Sequence, residues 1–452
     1  MNIVFDHLIF NMGFWLTWLL IPIVFEILPT SWHFLTLMKQ GYTKKDIIVP
    51  EKLPMISVIL PVYNSSKTLY ACIASIHNST YPNQLIQVIV ANNHSTDSSF
   101  DEYSRAQQAF SDLRIQWMNT NKGKSQALNA AIYNSTGQYI VNLDTDGVLE
   151  ENALYNLVLH FENNQHDAAV TGTVLTKKED INATKNIFLS ILRNNEYYEY
   201  AQSFLAGRNL ESARNELFTM SGAFSAFRRE ALLGTYLYNT QTVGEDADMT
   251  FQLRERLGSA VKLCYNAIFY VEPISGLDEL YVQRQRWQRG EIEVTRHFMK
   301  DTLRITDFFQ NFMVGRLMFD HTFIFPRTIW IAALFVLIFF GYSPLIIALS
   351  IIFMYLLYVF NSLINFISIS ILLRHFDQES RFFRKKWWVI FTLPTYNMLC
   401  AMIRFIGIIN TIIIPAQWQS RSFADEKKSV KQVVWHDYDR FKKRNKKYDE
   451  ES

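Results

Sequence analysis

GKSQALNAAIYNSTGQYIVNLDTDG, residues Gly123 to Gly147, holds a lysine-bearing loop, a helix, an apolar strand and two spaced carboxylates. The strand QYIVNL ends at Asp144, and Asp144-Thr145-Asp146 falls where the chain must turn out of a sheet. Two aspartates one residue apart at a strand's carboxyl end suit a hard divalent cation, Mg2+ or Mn2+, which takes oxygen ligands. Such an ion can bridge the phosphates of a nucleotide donor and neutralise a diphosphate leaving group. Asp-x-Asp is also common in turns, so the pair taken alone leaves a plain turn-capping role open.

Working outward, MISVILPVYN (Met55 to Asn64) reads as an apolar strand that breaks at Pro61 before a helical pattern from Lys67. LIQVIVANNHSTDSS (Leu85 to Ser99) reads as a second strand followed by an Asn/Ser/Thr/Asp cluster. Strand and helix patterns alternate, which predicts an α/β fold with a parallel, doubly wound sheet and ligands at the strands' carboxyl ends. Further on stand TMSGAFSAFRREAL (Thr219 to Leu232), VGEDADMTFQL (Val243 to Leu253) and QRQRW (Gln283 to Trp287).

Composition divides the 452 residues into a soluble half and an apolar half: 49% are hydrophobic and 15% aromatic, yet 19% are charged. A net charge of +2 without basic-aromatic repeats gives no nucleic-acid partner. Cys72, Cys264 and Cys400 are far apart and form no metal or redox spacing. The run Leu8 to Met38 is long enough to cross a bilayer, and nothing basic precedes it as in a cleaved signal. Asp6 lies before it and Lys39, Lys44 and Lys45 follow, so the charge rule puts the amino terminus outside and the next domain in the cytosol. Thr322 to Tyr342 and Pro344 to Leu373 form a hairpin of spans that returns to Arg374, Arg381, Arg384, Lys385 and Lys386. Pro394 and Arg404 interrupt the run Trp387 to Ile414, which reads as a re-entrant pair or an interfacial helix joined to a span. The basic tail favours an even number of crossings after the cytosolic domain. Arg304 to Phe312 reads as an amphipathic surface helix, or equally as a buried helix of the soluble domain. The expected division is 1–50 span and linker, 51–290 cytosolic domain, 291–316 interfacial helices, 317–418 membrane region and 419–452 basic tail.

In order and spacing these motifs resemble the family 2 glycosyltransferases. QRQRW places the chain beside that family's membrane-embedded cellulose, hyaluronan and poly-N-acetylglucosamine synthases. The resemblance implies a GT-A-type Rossmann-like domain with transmembrane helices, in a multi-pass protein of the plasma membrane. It implies inverting transfer of a sugar from a nucleotide-sugar, of uridine type, to a growing polysaccharide. Asp146 is then the metal residue, with Asp144 nearer the ribose or assisting the ion, and Lys124 opposes the donor phosphates as a point charge. Asp246 in Gly244-Glu245-Asp246 matches the aspartate that deprotonates the acceptor hydroxyl, with Glu245 orienting the site and Asp248 as a helix-start cap. Gln283 and Arg286 match residues that hold the diphosphate, and Trp287 offers a flat face to the acceptor's terminal sugar. Ser221 and Gly222 match an acceptor-site loop where glycine permits close approach. Pro61, Tyr63 and Asn64 fall beside the donor, Tyr63 at its base. EYAQSFLAGR (Glu199 to Arg208) resembles a family helix and reads as structural. One departure stands out: Asn92-Asn93-His94-Ser95 replaces the family's Asp-Asp-Gly-Ser, which weakens uridine selectivity although asparagine can still pair with a base edge.

The implied partners are the nucleotide-sugar donor, a glycan or lipid-linked acceptor, the bilayer and an accessory membrane subunit. Two other readings compete. One is a transferase adding a single sugar to a lipid carrier or lipid-linked glycan. The other is an inactive membrane assembly subunit, supported only by Asn92-Asn93.

Overall fold

A computed structural model describes residues 23–40, 48–242, 244–298, 336–341 and 343–413. Its sheet is built on β1 (Ile56–Val62), in which Ile56, Val58, Leu60 and Val62 enter one core and Ile59 the other. A strand covered on both faces needs apolar side chains throughout, hence the unbroken hydrophobic run. β1 pairs in parallel with β2 (Ile86–Asn92), and β2 in parallel with β3 (Arg114–Asn119). On its other side β1 pairs in parallel with β4 (Tyr139–Leu143). The strand does not break at Pro61 as expected. Pairing with β4 stops at Ile59, so the missing proline N–H falls beyond that ladder.

Past β4 the sheet departs from the all-parallel expectation. β5 (Gly147–Leu149), β6 (Asp167–Thr176), β7 (Phe224–Arg228) and β8 (Ala260–Val271) complete the order β3-β2-β1-β4-β7-β6-β8-β5. β7 runs antiparallel to both β4 and β6, β5 antiparallel to β8, and β8 parallel to β6. The fold is α/β with a mixed sheet. Hydrophobic periodicity reports a strand's faces and carries nothing about its direction, so this reversal could not be read from the sequence. The reversal matters for the site: the chain enters β7 beside the end where it leaves β4. The Asp144 N–H donates to the Ala223 carbonyl at 3.0 Å.

Ahead of the sheet lies α1 (Leu28–Gln40). α2 (Leu69–His77), α3 (Ser99–Ala109) and α5 (Ala153–Asn163) pack their buried stripes into one core, and α4 (Lys124–Asn134) packs into the other. Each fully buried leucine, isoleucine or valine here contributes roughly 1.5–3 kcal/mol. α6 (Ile187–Tyr200), α7 (Glu245–Phe251) and α8 (Leu277–Phe298) follow, and α8 runs past the expected boundary at residue 290.

α9 (Pro344–Leu372) and α11 (Val389–Ile413) flank α10 (Asp377–Lys385). Among the described residues, two helical stretches are long and apolar enough to cross a membrane, 344–375 and 389–407. α9 is built inside out. Leu345, Leu349, Ile352, Phe353, Leu356 and Phe360 face outward, while Ser350, Asn361, Ser362, Asn365 and Ser368 are buried against protein. Exposed apolar surface of this extent suits lipid and not water. α11 is one helix despite Pro394. The apolar face of α10 does not look outward: Phe382 and Phe383 pack on Tyr197 and Tyr198 of α6. Glu379 of α10, fully buried, accepts from the hydroxyls of Tyr197 (2.7 Å) and Tyr270 (3.1 Å) and pairs with Lys178 at 2.5 Å. Residues 8–22 of the expected span Leu8 to Met38, most of Thr322 to Tyr342, the segment Arg304 to Phe312, and the tail beyond Ile413 lie outside the described residues.

Candidate active site

Lys124 is the first residue of α4, and the loop before it swings its side chain toward the end of β4. Its Nζ lies 2.8 Å from Asp144 Oδ1 and 3.1 Å from Oδ2, and 3.5 Å from Glu245 Oε1. Burial alone would lower the lysine pKa, but the Asp144 and Glu245 carboxylates outweigh it and hold the ammonium above its usual value. Burial likewise pushes Glu245 up, and Lys124 restrains that shift. Lys124, expected to face the donor phosphates, is paired in this structure with both carboxylates and lets them share one site.

Asp246, in the first turn of α7, is half-buried and held on both oxygens. Its Oδ2 accepts from the Gly222 N–H at 3.2 Å and its Oδ1 from the Ala247 N–H at 2.9 Å. A Cβ at Gly222 would stand 3.3 Å from that Oδ2, so glycine is what allows the close approach. The Gly222 loop is itself fixed: its carbonyl accepts from Asn142 Nδ2 at 3.2 Å, and the buried Ser221 donates its N–H to Thr171 Oγ1 at 3.0 Å. Asp248 is buried, and its Oδ2 accepts from Gln252 Nε2 at 2.6 Å, so it serves the helix.

Asp146 is exposed just past the end of β4. Crowding by the protein, then the charge of Asp144, raises its carboxyl to about 6, which is the electrostatic setting a cation relieves. No group of three or more histidine, cysteine or acidic side chains that could hold a metal occurs among the described residues. Asp144 is engaged by Lys124 on both oxygens, so Asp146 is the carboxylate of the pair whose raised pKa suits a hard cation, of the kind bound through one or two carboxylates plus substrate phosphates.

Near the ends of β1 and β2, Tyr63 is exposed and Pro61 half-buried. Asn64, with φ of 51°, ties the two loops together: its N–H donates to Ser95 Oγ at 3.1 Å and its Oδ1 accepts from Thr96 N at 2.9 Å. Asn92 donates to Asn119 Oδ1 at 3.0 Å and accepts from Ser95 N at 2.9 Å, so both ends of its amide are engaged within the protein. Asn93 Oδ1 accepts from the Gly123 N–H at 2.5 Å, linking the β2 end to the lysine loop. His94 takes a φ of 56°, left-handed backbone that glycine adopts at less cost.

The QRQRW stretch lies on α8 and its two arginines separate. Arg284 is fully buried: it pairs with Glu199, donates from Nη1 to the Gln283 amide oxygen at 2.6 Å, and its guanidinium lies 4.3 Å from the Trp287 ring centroid. Arg286 is exposed. Gln283 donates to the Tyr200 hydroxyl at 3.2 Å, so its side chain is directed to the α6 wall. Trp287 rests against Tyr200 and Phe204 at centroid distances of 6.2 and 5.8 Å. It lines a cavity of about 380 Å³ bounded also by His33 of α1, Asn365 of α9 and Arg404 of α11. The structure thus brings Lys124, Asp144, Gly222, Glu245 and Asp246 together, and opens a cavity between the sheet domain and the apolar helices at Trp287. Glu199, Tyr200, Phe204 and Arg208, read from the sequence as structural, also line that cavity. The available signal was the stretch EYAQSFLAGR, where a π-turn, Ala201–Gly207, follows α6. Such wide turns recur at functional sites.

A mixed α/β sheet with paired carboxylates at the end of β4 and a carboxylate at the start of α7 defines a glycosyltransferase-type domain. Residues 57–234 match the family Glycosyl transferase family 2, and the chain carries a domain of that family. It is 27% identical over 243 residues to a poly-beta-1,6-N-acetyl-D-glucosamine synthase of Staphylococcus epidermidis, covering 53% of this chain and 55% of that protein. The synthase of the same name from Staphylococcus aureus is 24% identical over 276 residues, 61% of this chain and 64% of that protein. The matched region thus spans between about half and two thirds of these curated relatives' length. A Pyrobaculum calidifontis mannosyltransferase, solved with GDP-Man and Mn2+, shares the fold with a TM-score of 0.55 at 16% identity, covering 83% of this chain and 94% of that one.

Proposed function

We propose that this chain is a membrane-bound, inverting glycosyltransferase that moves a sugar from a nucleotide-sugar, of UDP type, to a growing polysaccharide. The supporting observation is the convergence of Lys124, Asp144, Glu245, Asp246 and Gly222 where β4 ends and β7 begins. Asp246 has two backbone N–H groups fixing its carboxylate and unused lone pairs to receive a proton. In the transfer, the acceptor oxygen bonds to the anomeric carbon from the side opposite the leaving group. The bond from that carbon to the diphosphate breaks, the nucleoside diphosphate departs, and the acceptor's proton passes to Asp246. Lys124 holds Asp144 in place, and the exposed Arg286 is the guanidinium free to reach the departing diphosphate. A divalent cation at Asp146 would supply positive charge against that leaving group. Trp287 offers its face to the acceptor's terminal sugar, in a cavity whose far wall is α9 and α11. The outward apolar face of α9 supports a membrane setting, with the sheet domain cytosolic.

The test is to incubate purified membranes with a panel of labelled sugar nucleotides and to size the products. Long polymers are expected. A single lipid-soluble product replaces this reading with single addition, and no turnover of any donor replaces it with a non-catalytic subunit.

A further inference from the structure

Arg208 opens the short helix Arg208–Ala213 immediately after the π-turn, and that wide turn sets it against the cavity. It is 6% exposed, and its Nη1 is buried with no hydrogen-bond partner among the described residues. Its guanidinium lies 4.6 Å from the Phe204 ring centroid, so one face is spent on an aromatic and the edge remains open. Leaving a charged donor buried and unsatisfied is destabilising, a penalty that a ligand's oxygen would remove. Burial lowers the guanidinium to about 10, opposed by the charges of Glu211 and Asp246. Arg208 therefore lies within electrostatic reach of Asp246 on one side and lines the same cavity as Trp287 on the other. Glu211 and Asp246 offset only part of that burial, and an uncharged oxygen acceptor would partner the guanidinium without adding further negative charge beside Asp246.

We propose that Arg208 binds the acceptor glycan, its open Nη1 donating a hydrogen bond to an uncharged hydroxyl or carbonyl oxygen of the sugar whose nucleophilic hydroxyl meets Asp246. This rests on the glycosyl-transfer reading above and adds the residue that holds the acceptor between Trp287 and the base. Arginine suits the task because its planar fork presents donors in fixed directions.

The test uses the full-length protein in lipid nanodiscs, a soluble β-1,6-linked N-acetylglucosamine oligomer as probe, and UDP-N-acetylglucosamine as donor. Calorimetry measures oligomer binding without donor and donor binding without oligomer, for wild type, Arg208→Met and Arg208→Gln. Arg208→Met is expected to weaken oligomer binding at least about tenfold, the loss of one charge-assisted hydrogen bond, with donor binding within about twofold. Arg208→Gln, which restores an amide donor, recovers part of the loss. Melting temperatures identify a variant that fails to fold, in which case the Gln variant carries the comparison. Equal oligomer binding by wild type and Met, no binding by the wild type, or parallel loss of donor binding overturns the proposal. Because binding is read without turnover, an inactive wild-type protein would sink the transferase reading while leaving the Arg208 comparison readable.

Discussion

Asp246→Asn separates the shape of the proposed base from its basicity. In the wild type each carboxylate oxygen accepts one backbone N–H, from Gly222 at 3.2 Å and from Ala247 at 2.9 Å. Asparagine has one oxygen, so in either orientation its NH2 must face one of those two N–H donors. One hydrogen bond is lost in a half-buried place, a stability decrease of about 1 kcal/mol. The loss of proton acceptance is larger: general-base removal lowers turnover by at least about a hundredfold, or about 2.7 kcal/mol of barrier. The two effects are read separately, by thermal melting and by initial rates of labelled-sugar transfer at saturating donor, with donor affinity measured alongside. The expected result is a small melting shift, an unchanged donor affinity and a collapse of turnover. Near-normal turnover would refute the assignment. Asp248 would not then be an easy substitute, since it is buried and engaged with Gln252.

The remaining predictions can be checked on the same preparation. Asp146→Ala should abolish transfer and leave stability within about 0.5 kcal/mol, as expected for an exposed turn position; chelator should stop the wild type and Mg2+ or Mn2+ restore it, and full activity in excess chelator would overturn the metal role. Trp287→Ala should raise the acceptor KM about tenfold through lost stacking and leave the donor KM near its wild-type value; equal effects on both would remove Trp287 from the acceptor site. Arg284→Ala should destabilise by about 3–5 kcal/mol because Glu199 loses its partner, whereas Arg286→Ala should leave melting unchanged and lower turnover; the reverse pattern would contradict the burial seen on α8. Burial raises Glu196 to about 8, so it is protonated when folded at neutral pH, and its contribution is complete below the ordinary glutamate range and is lost as pH rises toward 8. Glu196→Gln should therefore gain on the wild type in melting temperature between pH 5 and 9, a window set by that shift, and a pH-independent difference would refute this.

Much of this site was legible because the family's motifs are local. Lys124, Asp144 and Asp146 sit within one helix-strand-turn stretch, Lys124 at its start and the two aspartates at its end, and a strand ending in a carboxylate pair can be read from hydrophobic runs alone. Gly222 and Asp246 were legible only through resemblance, since nothing in their spacing says that a backbone N–H of one will hold the carboxylate of the other. What joins them is the antiparallel entry of β7, and strand direction leaves no mark on periodicity. The lysine's contact with Glu245 was not legible for a related reason: that partner is about 120 residues away. On α8 the sequence could offer two arginines of equal chemistry. Helix geometry sets neighbours two apart on different faces, so Arg284 turned inward to Glu199 and Arg286 outward.

The same geometry ties the two halves of the molecule. Arg284 and Gln288, one helical turn apart on α8, both reach α11: Arg284 toward the Tyr396 hydroxyl at 3.4 Å, and Gln288 by accepting from Arg404 Nε at 2.7 Å. Tyr396 also donates to Glu199 at 2.8 Å, so the α6 wall, α8 and α11 meet in one polar cluster. Trp287 lies between these two attachments, on the cavity. A displacement of α11 relative to the sheet domain must therefore move the wall against which an acceptor would rest, because a hydrogen-bonded cluster passes strain on where a flexible linker would absorb it. On the proposed reading, the acceptor's terminal sugar rests at Trp287 between the two attachments that hold α11 to α8.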